Sequence, residues 1–383
     1  MRGVWVGLLL VSACGEAAPA SSRASREPAA SPRARADERE STPQPTIASN
    51  GCVEAVPELG PEVARGVCYA HEYRDHGARG YGSETSRASL EELRALGVDT
   101  ISLTPFAFMP SVDSPEIRLA DSHPGAETDE RLAREVASCG ALGLRVMLKP
   151  HLWIRGGAWV GTIDMADDEA WARWQRSYRA FVLHYARFAA EHALPSFVIG
   201  VELDPIVIRF EAFFRALVPE VRAIYDGEIL YAANWDRAVD VRLWDAVDAI
   251  GVQFYPPLAD VPEAPRADLD ARLAHYMTVL DALHRRTNKA IVFTEVGYRS
   301  APGAEVRPHA WPEHDAERLV SLSTQRRAYE AFFASLRGRA FVRGIYVWKW
   351  FTDPATRDEG PDGFSPRGKP AEAVLRAAYR GCD

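Results

Sequence analysis

The sequence predicts a single (β/α)8 barrel, and three observations predict it. Short, near-continuously apolar runs recur eight times from Arg65 onward, as strands covered on both faces require. Stretches with apolar residues at i, i+3 and i+4 separate them, as helices packed on a sheet require. No Gly-x-Gly-x-x-Gly turn occurs, which argues against a doubly wound dinucleotide-binding sheet. The 383 residues hold one such barrel, roughly 250 residues plus insertions, with no second domain and no short repeat.

The strands are expected at Gly66–Ala70, Thr100–Thr104, Leu144–Lys149, Phe197–Val201, Ile229–Ala233, Ala249–Phe254, Ala290–Thr294 and Gly344–Trp348. The helices are expected at Ser89–Leu96, Asp129–Leu142, Glu169–His192, Phe210–Tyr225, Leu269–Arg286, Thr324–Leu336 and Ala371–Tyr379. After the fifth strand the helical pattern is weakest, and only a turn around Val241–Ala246 is expected. Trp171 and Trp174, three apart on one helix, read as packing. The proline-rich run Pro256–Pro265 is expected to shape one wall of a cleft.

The barrel domain is assigned to residues 51–383, behind two segments of another kind. Residues 1–14 read as an export signal: Arg2 is basic, and the apolar run Val4–Val11 is too short to span a membrane. The run ends in Val11-Ser12-Ala13-Cys14, which resembles a lipobox, so Cys14 is the expected lipidation site and the lipid the expected membrane anchor. Residues 15–50 are rich in Ala, Ser, Pro and Arg and read as a disordered tether. The expected location is the bacterial cell envelope, at the outer membrane or cell surface. Gly15, after Cys14, is not the Asp that retains some lipoproteins at the inner membrane.

Export also bears on the thiols. Cys52 and Cys382 bracket the domain and are the expected disulfide; Cys68 and Cys139 lie in apolar segments and read as buried thiols. No Cys-x-x-Cys pair supports structural zinc. With 45 basic against 53 acidic residues the net charge is −8, so nucleic acid is not an expected partner. Ten Trp and 13 Tyr suit a protein that stacks rings on a ligand as well as in its core.

In such a barrel, chemistry sits at the C-terminal ends of the strands. The residues standing there are Tyr69, Pro105-Phe106, Lys149 with His151, Glu202, Asn234-Trp235, Gln253 with Tyr255, Glu295, and Trp348-Lys349-Trp350. Two carboxylates, several aromatic rings and a few donors describe a carbohydrate site, with neither metal nor cofactor expected. Glu202 closes strand four and Glu295 strand seven, across the mouth from each other. Glycoside hydrolysis with retention needs two carboxyl groups roughly 5–5.5 Å apart, one to protonate the leaving oxygen and one to attack.

A phenol from Tyr255, with Tyr298 and Arg299 close in sequence, would favour ionised Glu295, as a nucleophile requires. The apolar run before Glu202 would raise its pKa, as a general acid requires. Tyr69, Lys149, His151, Trp159, Asn234, Tyr255 and Trp348 are the expected substrate contacts. For Lys149 and His151 the other reading is a buried ion pair; for Asn234, a loop cap; for Trp159, a loop anchor. Trp348 and Trp350 are expected to share one face of strand eight, with Trp348 as the floor and Lys349 pointing outward.

From Arg65 to about Ala371 the chain resembles glycoside hydrolase family 113. The resemblance rests on Arg65-Gly66-Val67-Cys68-Tyr69, Met147-Leu148-Lys149-Pro150-His151, Trp159-Val160-Gly161-Thr162-Ile163 and Ile199-Gly200-Val201-Glu202-Leu203. It continues through Tyr231-Ala232-Ala233-Asn234-Trp235, Ile250-Gly251-Val252-Gln253-Phe254-Tyr255, the segment Phe293 to Ser300, and Gly368-Lys369-Pro370-Ala371. It implies a retaining β-mannanase on a (β/α)8 fold, with Glu202 as acid/base, Glu295 as nucleophile, and a polysaccharide or oligosaccharide as partner. The chain departs from the family pattern at Val201. Relatives often carry a small polar residue there, and the wider clan an Asn, so the sugar at the cleavage site stays open.

Two other readings compete. A glycan-binding surface lipoprotein without turnover would keep the barrel, and Val201 favours it. A metal-dependent barrel hydrolase would need His-x-His on strand one, which Val67-Cys68-Tyr69-Ala70-His71 does not supply.

Overall fold

The computed structural model describes residues 56–120, 125–310, 318–356 and 359–381. Cys14, Cys52 and Cys382, with the lipidation and disulfide expectations attached to them, lie outside these residues, as do the export signal and the tether.

Eight parallel strands close into a barrel in chain order: β1 (Ala64–Ala70), β2 (Thr100–Leu103), β3 (Arg145–Leu148), β4 (Ser196–Val201), β5 (Glu228–Asn234), β6 (Ala249–Phe254), β7 (Ile291–Val296) and β8 (Val342–Phe351). Helices pack outside: α1 (Glu84–Leu96), α2 (Asp129–Ala141), α3 (Asp168–Glu191), α4 (Asp204–Arg209), α5 (Glu211–Arg222), α6 (Arg266–Thr287), α7 (Leu322–Ser335) and α8 (Pro370–Arg380). Side-chain oxygens of Ser83, Thr128, Asp167 and Ser321 cap α1, α2, α3 and α7 and satisfy their free N–H groups. Between β5 and β6 there are only turns, because the segment there lacks a helical apolar stripe.

The core has two layers. Inside the barrel lie Met147, Val198, Leu230, Ala249, Val292 and Tyr346. Between strands and helices lies a larger cluster that includes Leu90, Leu132, Trp174, Leu217 and Phe332. Trp171 and Trp174 belong to this layer, 3% and 0% exposed, as packing residues should be.

The ladder breaks register just before each glutamate. On β7, Phe293 pairs with Val252 and Glu295 with Gln253, so Thr294 is the extra residue of a bulge. On β4, Val198 pairs with Leu230 and Val201 with Ala232, leaving two residues opposite one. A bulge re-aims the side chains that follow it. Strict alternation from inward-facing Val292 would send Glu295 out of the barrel; the bulge returns it to the mouth. Glu202 is turned in by its own backbone as well, at φ 56°, a left-handed conformation uncommon for a residue with a Cβ.

A second sheet stands on the rim. Phe106–Met109, which follows β2, pairs in parallel with His151–Ile154, which follows β3, and antiparallel with Arg118–Leu119. The sequence reading did not anticipate it. His151 therefore begins a rim strand rather than ending β3.

Candidate active site

The mouth of the barrel opens into a cleft lined among others by His151, Trp159, Glu202, Tyr255, Glu295 and Trp348. All six were expected at the site from the sequence. Each arrives by a separate route: β4, β6, β7 and β8 end there, the rim sheet brings His151, and the loop that follows the rim strand His151–Ile154 brings Trp159. Gly297 makes room beside Glu295, since a Cβ there would lie 2.6 Å from the carbonyl oxygen of Trp348.

The two carboxylates are treated differently. Both oxygens of Glu295 accept hydrogen bonds, Oε1 from Lys149 Nζ at 2.5 Å and Oε2 from the Tyr255 hydroxyl at 2.7 Å. His151 Nε2 stands 3.7 Å from Oε1. Burial, with Lys149 and Lys349 nearby, holds the His151 imidazole well below its usual pKa, so it is neutral. Glu202 has one such partner: Trp159 Nε1 donates to Oε2 at 2.8 Å. Burial, and then the charge of Glu295, push the Glu202 carboxyl up to about 8. At neutral pH the cleft thus holds one protonated and one cation-paired carboxyl group. Among the described residues no cluster of His, Cys, Asp and Glu could hold a metal ion.

Several expected contacts stand elsewhere. Tyr69 does not face the cleft: it is fully buried behind β1, and its hydroxyl donates to the Ser86 carbonyl on α1 at 2.9 Å. Strand alternation places Cys68 inside and Tyr69 outside. Lys149 is also fully buried and binds Glu295 rather than the open cleft, which is the ion-pair reading. Asn234 turns to Asp204, whose Oδ2 accepts from both its backbone N–H and its side-chain amide at 2.9 Å.

Trp348 and Trp350 do not share a face. Between β1 and β8 the register runs from Cys68–Trp348 to Tyr69–Trp350, skipping Lys349, so Trp348 lies inside and Trp350 outside. Lys349 is not free in solvent; it pairs with Glu359 at 2.9 Å and is 5% exposed. Tyr298 packs on Tyr329 and Arg299 pairs with Asp362, so Tyr255 alone of the residues named around Glu295 reaches its carboxylate. The Pro256–Pro265 loop is tied to Glu305 and contributes nothing to the cleft lining.

The sequence reading did not place Trp153, His309 or Phe364 at the site, although all three line the cleft. Trp153 projects from the unanticipated rim strand. His309 and Phe364 come from long loops whose spacing carries no signal.

A closed barrel with glutamates at the ends of its fourth and seventh strands, facing each other among aromatic rings, defines a barrel glycoside hydrolase acting on O-glycosyl bonds. The profile of Glycoside Hydrolase Family 113 matches residues 72–369, and the chain belongs to that family. Among solved structures it is similar to a family 113 β-mannanase of Alicyclobacillus acidocaldarius in complex with ManMIm. The two are 28% identical over 84% of this chain and 98% of that one, with a TM-score of 0.73. A family 113 β-1,4-mannanase is 25% identical over 83% and 98%, with a TM-score of 0.70. A β-glucuronidase of Ruminococcus gnavus shares the fold alone, at 13% identity over 82% of this chain and 49% of that one, with a TM-score of 0.57. No curated protein matches.

Proposed function

We propose that the chain is a retaining, endo-acting hydrolase of β-1,4-mannan or a related β-linked polysaccharide, with Glu202 as acid/base and Glu295 as nucleophile. The opposite treatment of the two carboxyl groups carries this reading. Glu295 is held by an ammonium at one carboxylate oxygen and a phenol at the other. Glu202 is desolvated and protonated at neutral pH, and Trp159 anchors Oε2 so that Oε1 is left to carry the proton.

In the first step a Glu295 oxygen bonds to the anomeric carbon. The glycosidic bond breaks, and the Glu202 proton goes to the leaving oxygen. In the second step Glu202, now ionised, takes a proton from water as the water attacks the same carbon, and the electron pair of the broken ester returns to Glu295. Trp348 and Trp159 supply flat faces for sugars, and the 28% and 25% identical relatives, both mannanases, support the substrate class.

The test is product analysis with the full chain on β-1,4-mannan, glucomannan, xylan, cellulose and β-glucan oligosaccharides. Short β-manno-oligosaccharides with retained anomeric configuration, absent with Glu295→Gln, are expected. Cleavage of another glycan alone would move the specificity. Binding without cleavage would favour a glycan-binding lipoprotein, the reading that Val201 supports. The lipid anchor is proposed from the sequence alone. Labelled palmitate should enter the wild-type protein in a bacterial host and not the Cys14→Ser variant.

A further inference from the structure

We infer that Lys149 is a positioning residue for the nucleophile: a buried ammonium that fixes the Glu295 carboxylate and balances its charge as it is lost and regained in each turnover. The inference rests on the assignment of Glu295 as nucleophile. Lys149 is fully buried and does not line the cleft. Its three N–H donors match three acceptors: Glu295 Oε1 at 2.5 Å, the Thr294 carbonyl at 3.1 Å and Cys68 Sγ at 3.6 Å. Cys68 is itself neutral, its thiol pushed up to about 12 by burial, so the ammonium faces one carboxylate and two uncharged acceptors.

Two of those acceptors, Glu295 and Thr294, are at and beside the β7 bulge, so the ammonium ties down the irregular end of the strand that carries the nucleophile. It also lies 5.6 Å from the centroid of the Trp348 ring.

The groups facing Glu295 are few: Lys149 from the end of β3, Cys68 from β1, His151 from the rim sheet, Glu202 from β4, Tyr255 from β6, and Lys349 beyond Trp348 on β8. Cys68 is neutral, as is His151, and Lys349 is paired with Glu359. Among the described residues, Lys149 is therefore the one cation bonded to the nucleophile. When Glu295 forms the ester its charge vanishes and the ammonium loses its counter-ion; when the ester is hydrolysed the charge returns to the same place. Lys149 thus holds the Glu295 carboxylate in place in the free enzyme and supports it as the leaving group of the second step.

The test uses the full chain with Lys149→Met and Lys149→Gln, reading kcat, KM and the pre-steady-state burst on an activated aryl β-glycoside. Because Lys149 supports Glu295 as the leaving group of the second step, kcat should fall about tenfold or more and KM should fall with it, the glycosyl-enzyme accumulating as an initial burst. A variant that shows no burst, or one with a raised KM and unchanged kcat, would overturn the inference.

A measurement on the unaltered enzyme covers variants that do not fold. Trapping Glu295 with a 2-deoxy-2-fluoro glycosyl fluoride should shift the 15N resonance of the Lys149 ammonium, and an unshifted resonance would also overturn it. Undiminished turnover by Glu295→Gln would instead sink the nucleophile assignment, independently of Lys149.

Discussion

Trp159 and Glu202, 43 residues apart, meet through one hydrogen bond of 2.8 Å from the indole N–H to Oε2. The bond opposes the burial that pushes Glu202 up, because a donor to a carboxylate favours its ionised form. Trp159→Phe keeps the ring and removes the donor. The basic limb of kcat/KM should move to higher pH, and turnover of substrates with poor leaving groups should fall about tenfold through lost orientation. A pH–rate profile of the variant checks both.

Glu202 is pushed up to about 8, which sets the upper end of the working range. A general acid must be protonated, so kcat/KM should hold through neutral pH and fall above about pH 8. Glu202→Gln should remove this limb and spare kcat/KM, though not kcat, toward aryl glycosides whose leaving group needs no proton, because the water of the second step loses its base. A limb that survives in Glu202→Gln assigns the proton to another residue.

Tyr69→Phe separates structure from chemistry. The hydroxyl bonds Ser86 on α1, away from the cleft, so KM and kcat should be unchanged. Loss of one buried hydrogen bond should cost about 1 kcal/mol in urea unfolding. A raised KM would return Tyr69 to the substrate site.

Asp204 is fully buried and accepts from the Tyr231 hydroxyl and from two donors of Asn234, joining α4 to the end of β5. Asp204→Ala would leave those donors unpaired and should cost about 3 kcal/mol. Because Asp204 follows Glu202 by two residues, kcat should fall as well, with thermal unfolding and kinetics read on the same sample.

Stability should fall toward alkaline pH. Burial pushes Glu127 up to about 8 and Glu135 up to about 7, both from 4.5. Folded, these carboxyls keep their protons where the unfolded chain has released them. Their contribution is complete below about pH 4.5 and is lost as pH rises through 7 and 8. Tm should be several degrees lower at about pH 9 than at about pH 5, and Glu127→Gln should flatten the difference.

The barrel was legible because its signal is local. An apolar run such as Ile250–Phe254 followed by an amphipathic stretch such as Leu269–Arg286 reports burial on two faces and then on one. The glutamates were legible because strand ends are where barrel chemistry sits, yet the device that aims them was not. A bulge at Thr294 adds one residue to an otherwise ordinary strand, and no residue type announces it. Tyr69 was misplaced by face parity alone. Lys149 was placed at the right strand end, but residue type does not say whether an ammonium meets a sugar or a carboxylate. His309 and Phe364 lie in loops where contact depends on tertiary path rather than period.

The rim sheet has a thermodynamic consequence. His151 and Trp153 stand on a strand whose backbone is bonded to Phe106–Met109, so their freedom is surrendered when the chain folds rather than when a ligand arrives. Rings fixed in advance bind with little ordering penalty. Trp159, on a loop with glycines at φ 88° and 77°, lacks that support. Sugar contacts on the two sides of the cleft should therefore differ in entropy even where they bury equal area.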